Sequence, residues 1–120
     1  MVHIRLEEIE KYASRNNVPI MQKDGIEFLT SYIKDNNIKN ILEIGSAIGY
    51  SAILMASAKE DAFVTTIERD EERYMECLKN VKRCGLDKKI NVVFQDALDV
   101  NLSEDLKYDL IISYLESSIK

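Results

Sequence analysis

The chain predicts an α/β fold, a parallel sheet of about four strands with flanking helices, and three features carry that expectation. Short β-favouring runs alternate with stretches whose apolar residues recur at helical spacing, the pattern of successive βαβ units with right-handed crossovers. The run Ile41-Leu42-Glu43-Ile44 passes directly into Gly45-Ser46-Ala47-Ile48-Gly49 and then into a helical stretch, as the opening unit of a mononucleotide-binding sheet does. A hydrophobic content of 46%, with only four Gly and one Pro in 120 residues, describes one globular domain with one core.

Each element follows from local pattern. From about Ile4 to Arg15, Leu6, Ile9, Tyr12 and Ala13 share one helical face, and Asn16-Asn17-Val18-Pro19 ends it. A loop through Ile20 and Met21 leads to a second amphipathic helix from Gly25 to about Lys34, built on Ile26, Phe28, Leu29, Tyr32 and Ile33 and closed by Asp35-Asn36-Asn37. Residues 1–38 thus form a helical lead-in to the first strand at Asn40 to Ile44. Tyr50 to Ala58 is rich in Ala, Ile, Leu and Met without a polar face, so it is expected to pack against the sheet. Phe63 to Ile67 is the second strand. The next helix starts near Glu71 with acids in its first turn, carries a stripe of Tyr74, Cys77, Leu78, Val81 and Cys84, and stops at Gly85 after Lys82 and Arg83. Ile90 to Phe94 is a third strand, Leu102 to Leu106 a short helical turn, and Tyr108 to Ile112 a fourth strand.

Composition narrows the function classes. A net charge of −5 gives no general attraction to phosphates, so a nucleic-acid partner needs a local basic patch. Lys79, Lys82, Arg83, Lys88 and Lys89 are the candidate, although such a run also reads as a solvated helix face. No apolar run approaches the roughly 20 residues of a membrane span, and Arg5 followed by Glu7, Glu8 and Glu10 lacks the core of a secretion signal. A cytoplasmic protein without a membrane partner is expected. Cys77 and Cys84, about 10 Å apart on one helix, are too distant for a disulfide and are expected to be buried apolar groups. His3 is the sole histidine and no Cys-x-x-Cys occurs, which excludes an ordinary structural zinc site.

The glycine-bearing turn is the first candidate for binding. Gly45 and Gly49 are spaced G-x-x-x-G, unlike the G-x-G-x-x-G that cradles a dinucleotide pyrophosphate, so a ligand without phosphates is favoured over a nicotinamide cofactor. The same glycines also fit a sharp strand-to-helix connection with no ligand. Ligands of such sheets collect beyond the carboxyl ends of the strands, where Glu43, Glu68 and Asp96 stand after the first three. Glu68 can accept both hydroxyls of a ribose, and Asp96 the amino group of an adenine. Each acid alone also reads as solvated; together with Gly45 they outline a nucleoside pocket.

These residues carry a family resemblance. Val18-Pro19-Ile20-Met21, Ile41 to Ser51, Thr66-Ile67-Glu68-Arg69, Gln95-Asp96-Ala97 and Tyr108-Asp109-Leu110-Ile111 resemble, in order, the S-adenosylmethionine-dependent O-methyltransferases related to catechol and caffeoyl-coenzyme A methyltransferases. The Val-Pro-Ile-Met and Gly-Tyr-Ser combination is most similar to the bacterial tRNA 5-hydroxyuridine methyltransferases. The resemblance implies a Rossmann-like class I methyltransferase fold, with 39–113 as cofactor-binding units, 114–120 as a non-matching tail, and 1–120 as the N-terminal part of a single domain, incomplete at its C-terminal side. It implies that Met21 covers S-adenosylmethionine, that Glu43, Gly45, Ser46 and Ala47 line its methionine end, that Ser51 holds the carboxylate, and that Tyr50 packs over the pocket. Glu68 takes the ribose with Arg69 beside it, and Asp96 with Ala97 takes the adenine. Read without the resemblance, Met21 is a core residue and Ser51 a first-turn hydroxyl.

The resemblance also implies a divalent cation, usually magnesium, that holds the acceptor oxygen and lowers its pKa. The relatives' ligands have no counterpart here, because Ile112 is followed by Ser113-Tyr114-Leu115-Glu116 where the family has a metal-binding Asp, and the later Asp-Asn pair lies past Lys120. Glu116 stands two residues past the required position and reads as a tail residue. With suitable codons, Glu116 to Lys120 read one nucleotide later gives Lys-Ala-Gln-Ser, like the relatives' continuation, so a frameshifted or truncated gene is expected. The N-terminus looks shorter than in the homodimeric relatives. Leu110, Ile111 and Ile112 would form an open apolar edge, from which self-association or low solubility is expected. Three functional readings result: O-methyl transfer to tRNA 5-hydroxyuridine, O-methyl transfer to a small catechol-like phenol, or an inactive remnant of the cofactor site.

Overall fold

A computed structural model describes residues 2–96 and 107–113. In chain order the elements are α1 (Val2–Arg15), α2 (Lys23–Asp35), β1 (Asn40–Ile44), α3 (Tyr50–Ser57), β2 (Phe63–Glu68), α4 (Glu71–Arg83), β3 (Ile90–Phe94) and β4 (Leu110–Ser113). The helical turn expected at Leu102–Leu106 lies outside the described residues.

Local chemistry sets the helix ends. Asp70 caps α4 by accepting the Arg73 N–H at 2.9 Å, and Glu71, Glu72, Lys82 and Arg83 complement the helix dipole at its two ends. The Lys89 ammonium donates to the Ala56 and Lys59 carbonyls at 2.6 and 2.9 Å, satisfying the C-terminal end of α3.

All strand pairs are parallel, in the order β3-β2-β1-β4. The register aligns Ile41 with Val64 and Leu110, and Val64 with Ile90, so these residues share one face of the sheet. That face belongs to the core, with Ile9, Ala13, Ile33, Ile48, Ile53, Met55, Cys77 and Val81 contributed by the helices and the turn after β1. Helices α3 and α4 pack on β2 and β3, and α1 and α2 pack on α3. From β1 the chain moves outward to β2 and β3 and then returns to the opposite side of β1 as β4. The carboxyl ends of β1 and β4 therefore flank the topological switch point, where sheets of this kind bind ligands.

Besides shifts of a residue or two at element ends, such as α2 beginning at Lys23 rather than Gly25 and β2 running on to Glu68, three details depart from the sequence reading. Phe28 and Tyr32 do not join the core: they are 68% and 40% exposed and stack at 6.2 Å between ring centroids, because Ile26 and Ile33 occupy the inward face of α2. Cys84 is only half-buried, since it is the C-cap of α4, and Leu78 lies at the edge of the stripe at 36% exposure. Strand β4 begins at Leu110 rather than Tyr108. Before it, the Asp109 carboxylate accepts the N–H groups of Lys39 and Asn40 at 3.0 and 2.9 Å, while the Asp109 N–H donates to the Asn40 carbonyl at 2.7 Å.

Candidate functional site

The turn after β1 is held from several sides. Gly45 and Ser46 both donate their N–H groups to the Ile67 carbonyl, at 2.8 and 3.1 Å, and the Gly49 N–H closes the turn on the Ser46 carbonyl at 3.0 Å. Gly45, Ala47 and Gly49 have φ of +94°, +52° and +91°. Ala47 holds this conformation with a side chain, a strain that persists only where neighbours over-determine it. A Cβ at Gly49 would stand 3.0 Å from Cys77 Sγ, so Gly49 serves close packing of the turn on α4 and helix entry rather than ligand approach.

Two acids meet at this turn. Glu68, at 6% exposure, is no solvated surface residue: Oε1 accepts the Ala47 N–H at 2.7 Å and Oε2 the Asp70 N–H at 2.9 Å. A carboxylate has about four acceptor positions, so these bonds leave capacity for two hydroxyl donors. Glu43 is wholly buried, accepting the Thr66 hydroxyl at 2.6 Å on Oε1 and the Ser51 hydroxyl on Oε2. Burial pushes its carboxyl above the ordinary range, the two hydroxyl bonds pull it down, and Glu68 adds repulsion. The Ser51 proton is thus directed to Glu43, not to the open turn where a methionine carboxylate would lie.

Ser46 supplies the one orphaned polar atom among the described residues. Its hydroxyl is buried with no full hydrogen bond and leans only on the Cys77 thiol. That thiol is pushed up to about 12, first by burial and then by Glu43, and is inert at neutral pH. An unpaired buried hydroxyl at a strained turn fits a polar ligand group.

The other expected site residues fall around this centre. The Gln95 N–H donates to the Glu68 carbonyl at 3.0 Å, which brings the half-buried Asp96 beside the end of β2. Arg69 is exposed next to Glu68, and Ala97 lies outside the described residues. Met21 is half-buried, its Cγ 3.3 Å from where a Cβ on Gly25 would stand. The Tyr50 hydroxyl donates to Glu10 Oε2 at 2.6 Å, tying the start of α3 to α1, and burial together with this bond pushes it up to about 12. Tyr50 therefore points toward α1 with its polar end.

The basic cluster does not form one free patch. Lys79 pairs with Glu76 at 3.5 Å, Arg83 with Glu8 and Glu76 at 3.6 Å each, and Lys89 caps α3. Among the described residues no group of three His, Cys, Asp or Glu side chains is placed to hold a metal ion.

Sequence reading missed Thr66, Asn80 and Glu76. Asn80 is 1% exposed, donates from Nδ2 to the Ile48 carbonyl at 2.8 Å and accepts from Arg83 on Oδ1. The available signal was polar residues beside the Cys77 and Val81 positions of the α4 stripe. Thr66 announces itself by alternating with Thr65 on a strand whose inward face is otherwise apolar or acidic.

A parallel β3-β2-β1-β4 sheet with buried acids at the ends of β1 and β2 defines a class I methyltransferase fold. The chain belongs to the O-methyltransferase family, whose model matches residues 2–114. It is similar to an Arabidopsis thaliana protein of the caffeoyl-CoA O-methyltransferase type, 32% identical over 119 residues, covering 96% of this chain and 51% of the relative. A Staphylococcus aureus structure of the same type superposes with a TM-score of 0.81 at 36% identity, over 88% of this chain and 51% of that one. The Bacillus cereus O-methyltransferase, crystallised in complex with SAH, superposes with a TM-score of 0.79 at 27% identity, over 92% and 53%. The chain thus spans about half the length of the proteins it matches.

Proposed function

We propose that this chain forms the S-adenosylmethionine-binding half of an enzyme that methylates a hydroxyl group. The observation that carries the reading is the Gly45–Gly49 turn clasped by Glu68, with the unpaired Ser46 hydroxyl inside it. Carboxylates at the turn disfavour a phosphate and suit a ligand that pairs ribose hydroxyls with a cationic centre. Glu68 would accept the ribose hydroxyls, Asp96 would stand at the adenine, and Gly45, Ser46 and Ala47 would line the methionine end, with Met21, Tyr50 and Arg69 around them. Bound there, S-adenosylmethionine supplies an electrophilic methyl group on sulfonium. The residues of this chain orient that group. The divalent ion of the resembling family finds no ligand set among the described residues, and no step here depends on it.

For the acceptor, the resemblance of Val18–Met21 and Gly49–Ser51 supports tRNA 5-hydroxyuridine. The caffeoyl-CoA-type relatives favour a second reading, a small catechol-like phenol. Titration with S-adenosylmethionine, followed by methyl-transfer assays with magnesium on hydroxyuridine-containing tRNA and on catechol, tests both. Transfer to one acceptor selects its reading, and binding without transfer leaves this chain as a cofactor-binding remnant. Tighter binding of NADH than of S-adenosylhomocysteine overturns the proposal.

A further inference from the structure

We infer that Asn80 is a positioning residue for the cofactor turn, holding it from α4 in the shape that receives the ligand. This rests on the proposed function for its ligand, and on geometry alone for its mechanical part. Between Ser46 and Gly49 the backbone turns through two residues at positive φ, one of them Ala47, so the conformation needs restraints from outside. From β2 come the Ile67 carbonyl and the Glu68 carboxylate. From the opposite side, Asn80 Nδ2 donates to the Ile48 carbonyl at 2.8 Å, beside the looser contact of the Cys77 thiol with the Ser46 hydroxyl.

Ile48 is fully buried, so its carbonyl has no water to replace that donor. The amide is itself fixed, because Oδ1 accepts from Arg83, which is anchored by Glu8 of α1 and Glu76 of α4. A chain of contacts thus runs from the α1–α4 cleft through Arg83 and Asn80 to the residue before the Gly49 N-cap. Cys77, on the preceding turn of α4, seats Gly49 beside it.

Asn80→Ala removes the donor, and Val81→Ala is the control, since it also hollows the core beside α4 but removes no hydrogen bond to the turn. Both are compared at a temperature where circular dichroism shows them folded. Asn80→Ala is expected to accelerate amide exchange across Gly45–Gly49 while Val81→Ala leaves that segment near wild type. It is also expected to weaken S-adenosylhomocysteine binding by about tenfold with little effect of Val81→Ala, the size of one buried hydrogen bond lost. Equal exchange of the turn in Asn80→Ala and wild type overturns the inference. A wild-type chain that binds no S-adenosylhomocysteine overturns the functional reading instead, and the exchange comparison still decides the role of Asn80.

Discussion

At the scale of single residues, the decisive feature is that buried polar groups are arranged in donor–acceptor pairs around a strained turn. Glu43 is the most constrained of them, with both oxygens engaged by hydroxyls and no exposure to water. Its carboxyl is raised in the folded chain, so its contribution to stability is full below the unfolded value near 4.3 and is lost as pH rises through the folded value. Glu43→Gln keeps the shape and stays neutral. Urea unfolding is therefore expected to show the variant gaining on wild type as pH is raised from about 4 to about 8. Glu43→Ala, by contrast, strands the Ser51 and Thr66 hydroxyls and is expected to cost about 1–3 kcal/mol at low pH, where the wild-type carboxyl is neutral, with the cost shrinking as pH rises. A wild-type minus Glu43→Gln difference that does not change with pH contradicts this.

At the scale of elements, the strands and helices were largely legible because most of their apolar residues keep regular periods and turn residues separate them. Strands β1 and β3 have the limits their patterns give, and α4 runs from Glu71 to Arg83 as its first-turn acids and the closing Gly85 indicate, with the Asp70 cap seen only in the structure. What periodicity could not see were contacts between elements. Asn80 looks like a surface residue until the turn after β1 is laid against α4, and Gly49 looks like a ligand-facing glycine until Cys77 fills the space beside it. The start of β4 is likewise set by a long-range contact, the Asp109 carboxylate on the N–H groups of Lys39 and Asn40. Those two bonds hold the Asp109 carboxyl below its ordinary range. A lowered carboxyl contributes stability above the unfolded value near 3.9 and loses it as pH falls through the folded one. Between about pH 5 and about pH 3, wild type is expected to lose more stability than Asp109→Asn in denaturant unfolding, and parallel losses count against this anchoring.

At the scale of the whole molecule, the β3-β2-β1-β4 order gathers Glu43, Gly45, Ser46, Ala47, Glu68 and Asp96 at one end of the sheet, although they come from three separate stretches of chain. Among the described residues β4 pairs with β1 alone, and Ile111 is 44% exposed. An apolar outer strand of this kind invites pairing between copies. Sedimentation velocity of the 120-residue chain is expected to show association that grows with concentration and is reduced by Ile111→Lys; a monodisperse, cooperatively melting monomer contradicts it. The central claim is that the turn and Glu68 form a nucleoside pocket, and calorimetric titration with S-adenosylhomocysteine tests it most directly. Wild type is expected to bind, and Glu68→Gln to bind at least about tenfold more weakly, because an amide accepts at one oxygen only. Equal affinity of the two proteins would contradict the account.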